Sequence, residues 1–361
     1  MIFTLIIAFI GLIGLLVLHE FGHFILAKKF GVKVNEFGIG YPPRLFGKKF
    51  GETVYSINLL PFGAFVALPG EVKKVDDPRS FSSQPVWKRA LIAFGGVLSF
   101  WIISTIIFTV VFTLGTPAEI SDEDTKNLID PKVQIALVSS DSPAGKAGIR
   151  IGDAIVKIQN LKSQNQITIS KISDLQNFVA ENKEEELVLT IQRGKDILDT
   201  KIIARASPPN GEGPLGVALV RTAIISFPWY TAPWKAISHT FNLTLAILDG
   251  YYNAIMHVFK GEPSGVQLTG PVGVFQMLGQ ASQLGINYFL NFLALISIYL
   301  AIFNILPIPS ADGGKLTFLA IEAIRKKPVP EKIEQNITGA FFMALIVLMI
   351  FVTIKDIAKL F

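Results

Sequence analysis

Two histidines four positions apart, with a glutamate behind the first, are the residues of this chain best spaced to do chemistry: His19, Glu20 and His23. If Leu15 to Ala27 is helical, both imidazoles stand on one face, one turn apart, as two donors to a single zinc ion must, and Glu20 points to the open side. Such a set suits metal-assisted hydrolysis. The motif closes the first long apolar run and precedes the first lysines, Lys28 and Lys29. A bilayer disfavours a charged side chain at mid-depth by roughly 2.5–3.5 kcal/mol on insertion scales, so polar groups held there need a function that offsets it.

A catalytic zinc takes three protein donors and keeps one position open, which leaves one donor to find. From Gly270 the chain carries no charge until Asp312, in the run Asn304-Ile305-Leu306-Pro307-Ile308-Pro309-Ser310-Ala311-Asp312-Gly313-Gly314. Asp312 supplies the third donor if its carboxylate turns inward; the rival reading is an N-cap for a helix from Gly313 to Arg325. With zinc on His19, His23 and Asp312, the fourth position holds water, whose pKa falls from about 15.7 to about 7 in such sites. Glu20 takes its proton, the hydroxide attacks a peptide carbonyl, and Glu20 returns the proton to the leaving nitrogen. Asn304 either holds substrate backbone and the developing oxyanion with its amide or makes a hydrogen bond between spans. The other two histidines, His239 and His257, are not spaced to share a helical turn and are assigned to helix surface or membrane interface.

The elements that position these residues lie in a membrane. Half of the 361 residues are hydrophobic and the mean hydropathy is +0.49. Four stretches are long and apolar enough for a hydrocarbon core of about 30 Å: Met1 to Leu18 running on to Ala27, Leu91 to Leu114, Ile286 to Ile308, and Asn336 to Ile354. The first lacks the basic tip and small-residue cleavage site of a secretory signal peptide. Lys and Arg crowd between the first two spans, from Lys28 to Arg89, and Arg325, Lys326 and Lys327 follow the third, so both loops are expected on the cytosolic side. The N-terminus, the segment from about Gly115 to Gly285 and the C-terminus are then outside. The ends of spans one and three, carrying His23 and Asp312, come to one depth. The net charge of +5 is accordingly topogenic, with membrane lipids as its partner, and nucleic-acid binding is not expected. With no cysteine in the chain, disulfides, thiol catalysis and Cys-type zinc sites are excluded.

After the first span, Phe37 to Pro43 is rich in Gly, Pro and aromatics, and alternation through Thr53 to Asn58 and then Leu60 to Val66 predicts hairpins or loops against the membrane face. They would line the approach to the metal and offer a strand edge to an extended peptide. Phe81 to Ala90 reads as an interfacial lead-in to span two. From Asp130 the composition turns soluble. A strand at Val133–Val138, a turn and strand over Ile151–Ile158 and a hairpin of Leu187–Arg193 and Asp196–Ala204 around Gly194-Lys195, with helices after Ser142 and at Ser173–Glu181, make one small α+β domain. Its run from Ser142 to Ile158 resembles a PDZ domain, which binds a peptide by strand addition. Ser207 to Gly211 is a linker by composition, Pro233 to Lys260 a helix, and Leu268 to Gly273 a break ahead of span three. The expected organisation is 1–114 for span one, the β region and span two; 130–206 for the PDZ-like domain; 207–285 for a linker and an extracytoplasmic amphipathic helix; and 286–361 for spans three and four.

In order along nearly the whole chain, the His-Glu-Phe-Gly-His motif, the Gly38-x-Gly40 stretch, Leu60 to Glu71, Pro85 to Gly96, the PDZ-like run, Leu268 to Val274 and Asn304 to Gly314 resemble the site-2 protease family of intramembrane zinc metalloproteases, most closely its bacterial RseP-type members. The resemblance implies a polytopic α-helical membrane protein of about four spans, with an inserted extracytoplasmic α+β PDZ domain and a membrane-associated β-hairpin region, in a bacterial plasma membrane. It implies His19, His23 and Asp312 as zinc ligands, Glu20 as the catalytic residue and Asn304 as a substrate-positioning residue. Its substrates would be single-span membrane proteins of the anti-sigma-factor kind or remnant signal peptides, with a peptide ligand for the PDZ domain. The chain departs from the family pattern at Ala311, where Leu is usual, across Phe94 to Ser99, at Gly63-Ala64 and at Tyr299. Two other classes fit less well. A silent scaffold that binds peptides through the PDZ domain has no use for four buried polar groups, and a metal transporter needs a polar file that spans two and four lack.

Overall fold

The computed structural model describes residues 2–124, 128–139, 141–194, 196–209, 212–261 and 269–358. Lys195, Asn210, Gly211 and Leu268, assigned above to a turn, a linker and a helix break, lie outside them. Along the chain come α1 (Ile2–Lys29), β1 (Glu36–Phe50), β2 (Thr53–Ala67), α2 (Val86–Leu114), β3 (Thr116–Glu119), β4 (Ile129–Val138), α3 (Pro143–Lys146), β5 (Ala154–Asn160) and β6 (Gln166–Thr168). There follow α4 (Ile172–Glu181), β7 (Glu186–Arg193), β8 (Asp196–Ile203), β9 (Val217–Ile225), α5 (Ala232–Phe259), α6 (Pro271–Leu284), α7 (Ile286–Ile305), α8 (Asp312–Arg325) and α9 (Glu331–Ala358). They form two compact units, Met1–Val111 with Trp229–Phe361, and Phe112–Pro228.

In the first unit, four helices among the described residues are long and apolar enough to cross a membrane: Ile6–Lys29, Val86–Leu114, Ile286–Ile305 and Glu331–Ala358. Their apolar surfaces leave little sequence periodicity because lipid and protein both reward apolar residues. Packing of α1, α2 and α7 is therefore set by shape. Ala8, Leu15, Phe100, Ile103, Phe289, Leu293 and Ala301 form the shared core. Where α1 meets α2 the backbones nearly touch: a Cβ on Gly22 would lie 2.3 Å from the Gly95 carbonyl oxygen. Small residues make such a crossing possible and hold α1 beside α2 at the level of the histidines.

The third span was expected to reach Ile308, but α7 stops at Ile305 and Leu306 is already extended. Pro307 and Pro309 account for this, since neither can donate to a helical ladder and each drives its predecessor out of helical geometry. Phe37 to Pro43 is itself strand, part of β1. Both strands of this ribbon bend: Arg44 to Phe50 pairs with Asn58 to Thr53, while Glu36 to Ile39 faces Val54 to Ile57 on one side and Ala67 to Ala64 on the other. Its turn is held by Glu52, which Lys28 and Arg79 contact at 2.7 and 2.8 Å and hold below the usual carboxylate range. In α5, the Thr240 hydroxyl lies 3.2 Å from that of Thr105 on α2, and the rings of Tyr251 and Tyr299, on α7, are 6.5 Å apart. This helix, expected to be extracytoplasmic and amphipathic, contacts α2 and α7 through these residues and leaves Trp234, Phe241 and Phe259 exposed.

The second unit is a seven-stranded sheet in the order β3-β9-β4-β5-β7-β8, with β6 on β5. Its core joins Val133, Ile135, Ile155, Ile158, Leu187, Leu189 and Ile191 to Leu175 and Phe178 of α4. The unit is wider than the expected 130–206. Val217 to Ile225, inside the stretch assigned to a linker, is a strand paired to β4 from Val138↔Val217 to Ile129↔Ile224.

The α1–α2 crossing yields a paired test. Gly22→Val should lower the unfolding temperature of the detergent-solubilised protein by several degrees, as expected for overpacking of about 1–3 kcal/mol. Gly14→Val, where an added Cβ meets nothing within 4 Å, should leave it within about a degree.

Candidate metal centre

Helix α1 presents His19 and His23 one turn apart, their rings 4.8 Å apart and edge to face. His19 is 8 % exposed and stacks on Phe100 of α2 at 4.5 Å. His23 donates its Nδ1–H to the Ile92 carbonyl oxygen at 2.8 Å. That bond fixes the tautomer and leaves Nε2 with a free lone pair, the form a metal requires.

Asp312 arrives from the far end of the chain. The prolines release the backbone from α7, and α8 begins at once against it: a Cβ on Gly313 would lie 2.0 Å from the Leu306 carbonyl oxygen, and one on Gly314 2.3 Å from that of Ile308. The Gly-Gly pair thus lets the start of α8 return tightly, carrying Asp312 inward. Ala311, not Asp312, is the N-cap of α8, with no side-chain capping bond. The Asp312 Oδ2 atom stands 3.4 Å from Nε2 of His19 and 3.4 Å from Nε2 of His23.

Two buried atoms of this group, Asp312 Oδ2 and His19 Nδ1, have no hydrogen-bond partner. A buried carboxylate oxygen left so is expensive unless a cation serves it. Donors at about 2.0–2.1 Å from a tetrahedral zinc ion lie about 3.3–3.4 Å from one another, so both 3.4 Å separations match an edge of that tetrahedron. The residues fit a metal. Glu20 is within 4.8 Å of the imidazole donors, and its carboxylate lies against the backbone amide of Val66 on β2. Two carboxylates therefore compete as third donor. Asp312 is nearer to both nitrogens, whereas Glu20 is engaged by β2.

Asn304 sits in the last turn of α7 and lines, with His19, Glu20 and Asp312, a cleft of about 1200 Å³. Its Nδ2 donates to the Leu300 carbonyl oxygen at 2.9 Å, a bond inside α7 and not between spans. Sequence reading passed over Gly96, on which a Cβ would lie 2.1 Å from His23 Nε2 and 2.7 Å from His19 Cε1. The Gly95-Gly96 doublet in an apolar span was the available signal. It also passed over Lys315, which pairs with Glu71 and lies 4.7 Å from the Phe81 ring centroid, on the wall of the same cleft. His239 is elsewhere, its ring 4.7 Å from that of Phe108.

Two imidazoles and a carboxylate gathered between helices of membrane-crossing length make a candidate metal centre. Comparison with known proteins sharpens this. The profile of peptidase family M50 matches residues 7–349. A Clostridium perfringens protein provisionally named a zinc metalloprotease is 34 % identical, over 98 % of each chain. The regulator of sigma-W protease RasP of Bacillus subtilis is 28 % identical over 99 % of each, and the zinc metalloprotease RasP of Shouchella clausii 28 % identical over 98 % of this chain and 99 % of its own. The chain belongs to peptidase family M50, the site-2 protease family, and is a zinc-dependent metalloendopeptidase of that type.

The space that Gly96 leaves is the most direct test of this geometry. Gly96→Ala should yield a membrane-inserted, helical protein whose zinc content by elemental analysis falls several-fold from about one ion per chain, because the added methyl occupies the place of a donor lone pair.

Proposed function

We propose that this chain hydrolyses peptide bonds within the bilayer at a zinc ion held by His19, His23 and Asp312, with Glu20 as general base and acid and Asn304 positioning the substrate. The observation that carries it is the approach of Asp312 to within 3.4 Å of both imidazoles. Zinc bound there would polarise the scissile carbonyl and lower the pKa of a water beside it. Glu20 accepts the proton of the attacking water and delivers it to the leaving nitrogen. Val66 of β2 lines a smaller pocket together with Glu20, His23 and Asp312. The Asn304 amide, on the wall of the same cleft, is suited to holding an extended substrate backbone.

A helical substrate hides its carbonyls, so it has to unwind before it is cut. Tyr41, Phe62, Gly63 and Ala64 of the β1–β2 ribbon line the cleft, and their strand is the natural partner for an unwound segment. The exposed Leu45, Phe46, Phe50 and Leu59 of the ribbon suit contact with lipid. We read the loops carrying Lys28 to Arg89 and Arg325 to Lys327 as cytosolic and the unit Phe112–Pro228 as an extracytoplasmic PDZ-like domain, in a bacterial plasma membrane. The substrates are single-span membrane proteins resembling anti-sigma factors, or remnant signal peptides. The sigma-W relationship in the name of the Bacillus subtilis relative supports the former.

Co-expression with a tagged single-span substrate tests this. Glu20→Gln should keep its zinc yet lose cleavage by at least about a hundredfold, the usual worth of a general base. Equal product from both forms would end the proposal. Stripping the metal with a strong chelator should abolish cleavage and lower the unfolding temperature, and zinc should restore both.

A further inference from the structure

In the unit Phe112–Pro228, strand β9 has β4 on one side and β3 on the other. Ile135 of β4 turns both its polar groups toward β5, its amide to the Asp153 carbonyl oxygen and its carbonyl to the Gly152 amide, each at 2.9 Å. Its partner across the pair is Leu219, whose amide and carbonyl must then face the outer edge of β9. Two residues on, that edge is in use. The Ile120 amide donates to the Arg221 carbonyl oxygen at 2.9 Å, and Glu119 back to Thr116 pair with Thr222 to Ile225. The chain's own strand thus covers one half of the edge, and Val217 to Leu219 extend past it.

The covering segment does not end with the strand. Ile120 is buried, and the Asp122 carboxylate accepts the amides of Ile172 and Ser173, at 3.0 and 2.9 Å, at the start of α4. Arg221, also buried, donates to the carbonyl oxygens of Ser121 and Asp124 at 2.7 and 3.1 Å. One segment therefore runs along β9 and fastens to α4. It is antiparallel to β9, hydrogen-bonded through its backbone, and anchored by one apolar side chain, as an added peptide strand would be.

We propose that Thr116–Asp124 is a built-in occupant of the peptide-binding edge of this unit, which an extended substrate peptide bearing an apolar residue at the place of Ile120 must displace. This rests on reading the unit as peptide-binding. Being tethered, the internal strand competes at an effective concentration in the millimolar range, so a free peptide displaces it weakly and a substrate held nearby far more readily. The chain enters the unit through β3, two residues after α2 ends at Leu114, and leaves through β9. Displacement would free the segment that follows α2.

The chain has no cysteine, so a single engineered pair can lock the strand. Glu119 and Thr222 face each other across β3 and β9, and antiparallel partners about 4.5–5.5 Å apart at Cα can form a disulfide. The probe is a fluorescent peptide copying Thr116–Asp124, added to full-length protein in detergent. Ile120→Ser, which weakens the internal strand, should bind it about tenfold more tightly than the unaltered chain. The E119C/T222C form should bind it when reduced and lose it when oxidised. Hydrogen exchange of Leu187 to Ile191 should stay slow throughout, reporting an intact sheet. If oxidised and reduced forms bind alike, the peptide-binding reading survives and the occupant proposal falls. If no form binds while the sheet remains protected, both fall.

Discussion

Asp312 stands within 3.4 Å of both imidazoles of α1, a grouping that suits a shared cation, and several devices of the first unit bring the three together. His23 is oriented by a carbonyl of α2, His19 by a ring of α2, and Asp312 by the abrupt end of α7 and the immediate start of α8. Each is a backbone or packing device, and none adds a charge to the site. That economy matters where an unpaired polar group costs several kcal/mol. The family to which the chain belongs uses zinc, and the donor set here has the separations that such an ion imposes.

A cleft that opens onto this group must admit a polypeptide and still keep Glu20 aimed. The β1–β2 ribbon serves both, since Val66 shares a pocket with Glu20 while Phe62 to Ala64 line the cleft beside it. Asn304 at the end of α7 and the turn leading to Asp312 line the same cleft. Chemistry and substrate path are thereby built from the same few segments, and a change in one is felt in the other.

Much of this was legible in the sequence, for reasons that can be named. The spacing of His19, Glu20 and His23 carries its geometry with it once the helix is granted, and the uncharged run ending at Asp312 marks where the next polar group must act. The four apolar stretches match helices of membrane-crossing length because no other structure satisfies their backbone in lipid. Other features left no mark. Gly96 works through an absent side chain. The first half of β1 is broken by Gly38, Gly40, Pro42 and Pro43, which read as loop, yet bending lets it pair on both sides. Val217 to Ile225 follows a Pro-rich stretch and is held in place by partners distant in sequence, so local composition cannot find it. The end of α7 at Ile305 was masked by the apolar residues that continue past it.

The measurement that bears most directly on the shared ion is X-ray absorption at the zinc edge, on purified protein and on Asp312→Ala. The unaltered chain should show two imidazoles and a carboxylate oxygen among nitrogen and oxygen donors at about 2.0–2.1 Å, with the carboxylate contribution lost in the variant. A zinc ion whose spectrum is unchanged by loss of Asp312, or one bound without imidazole, would contradict the account.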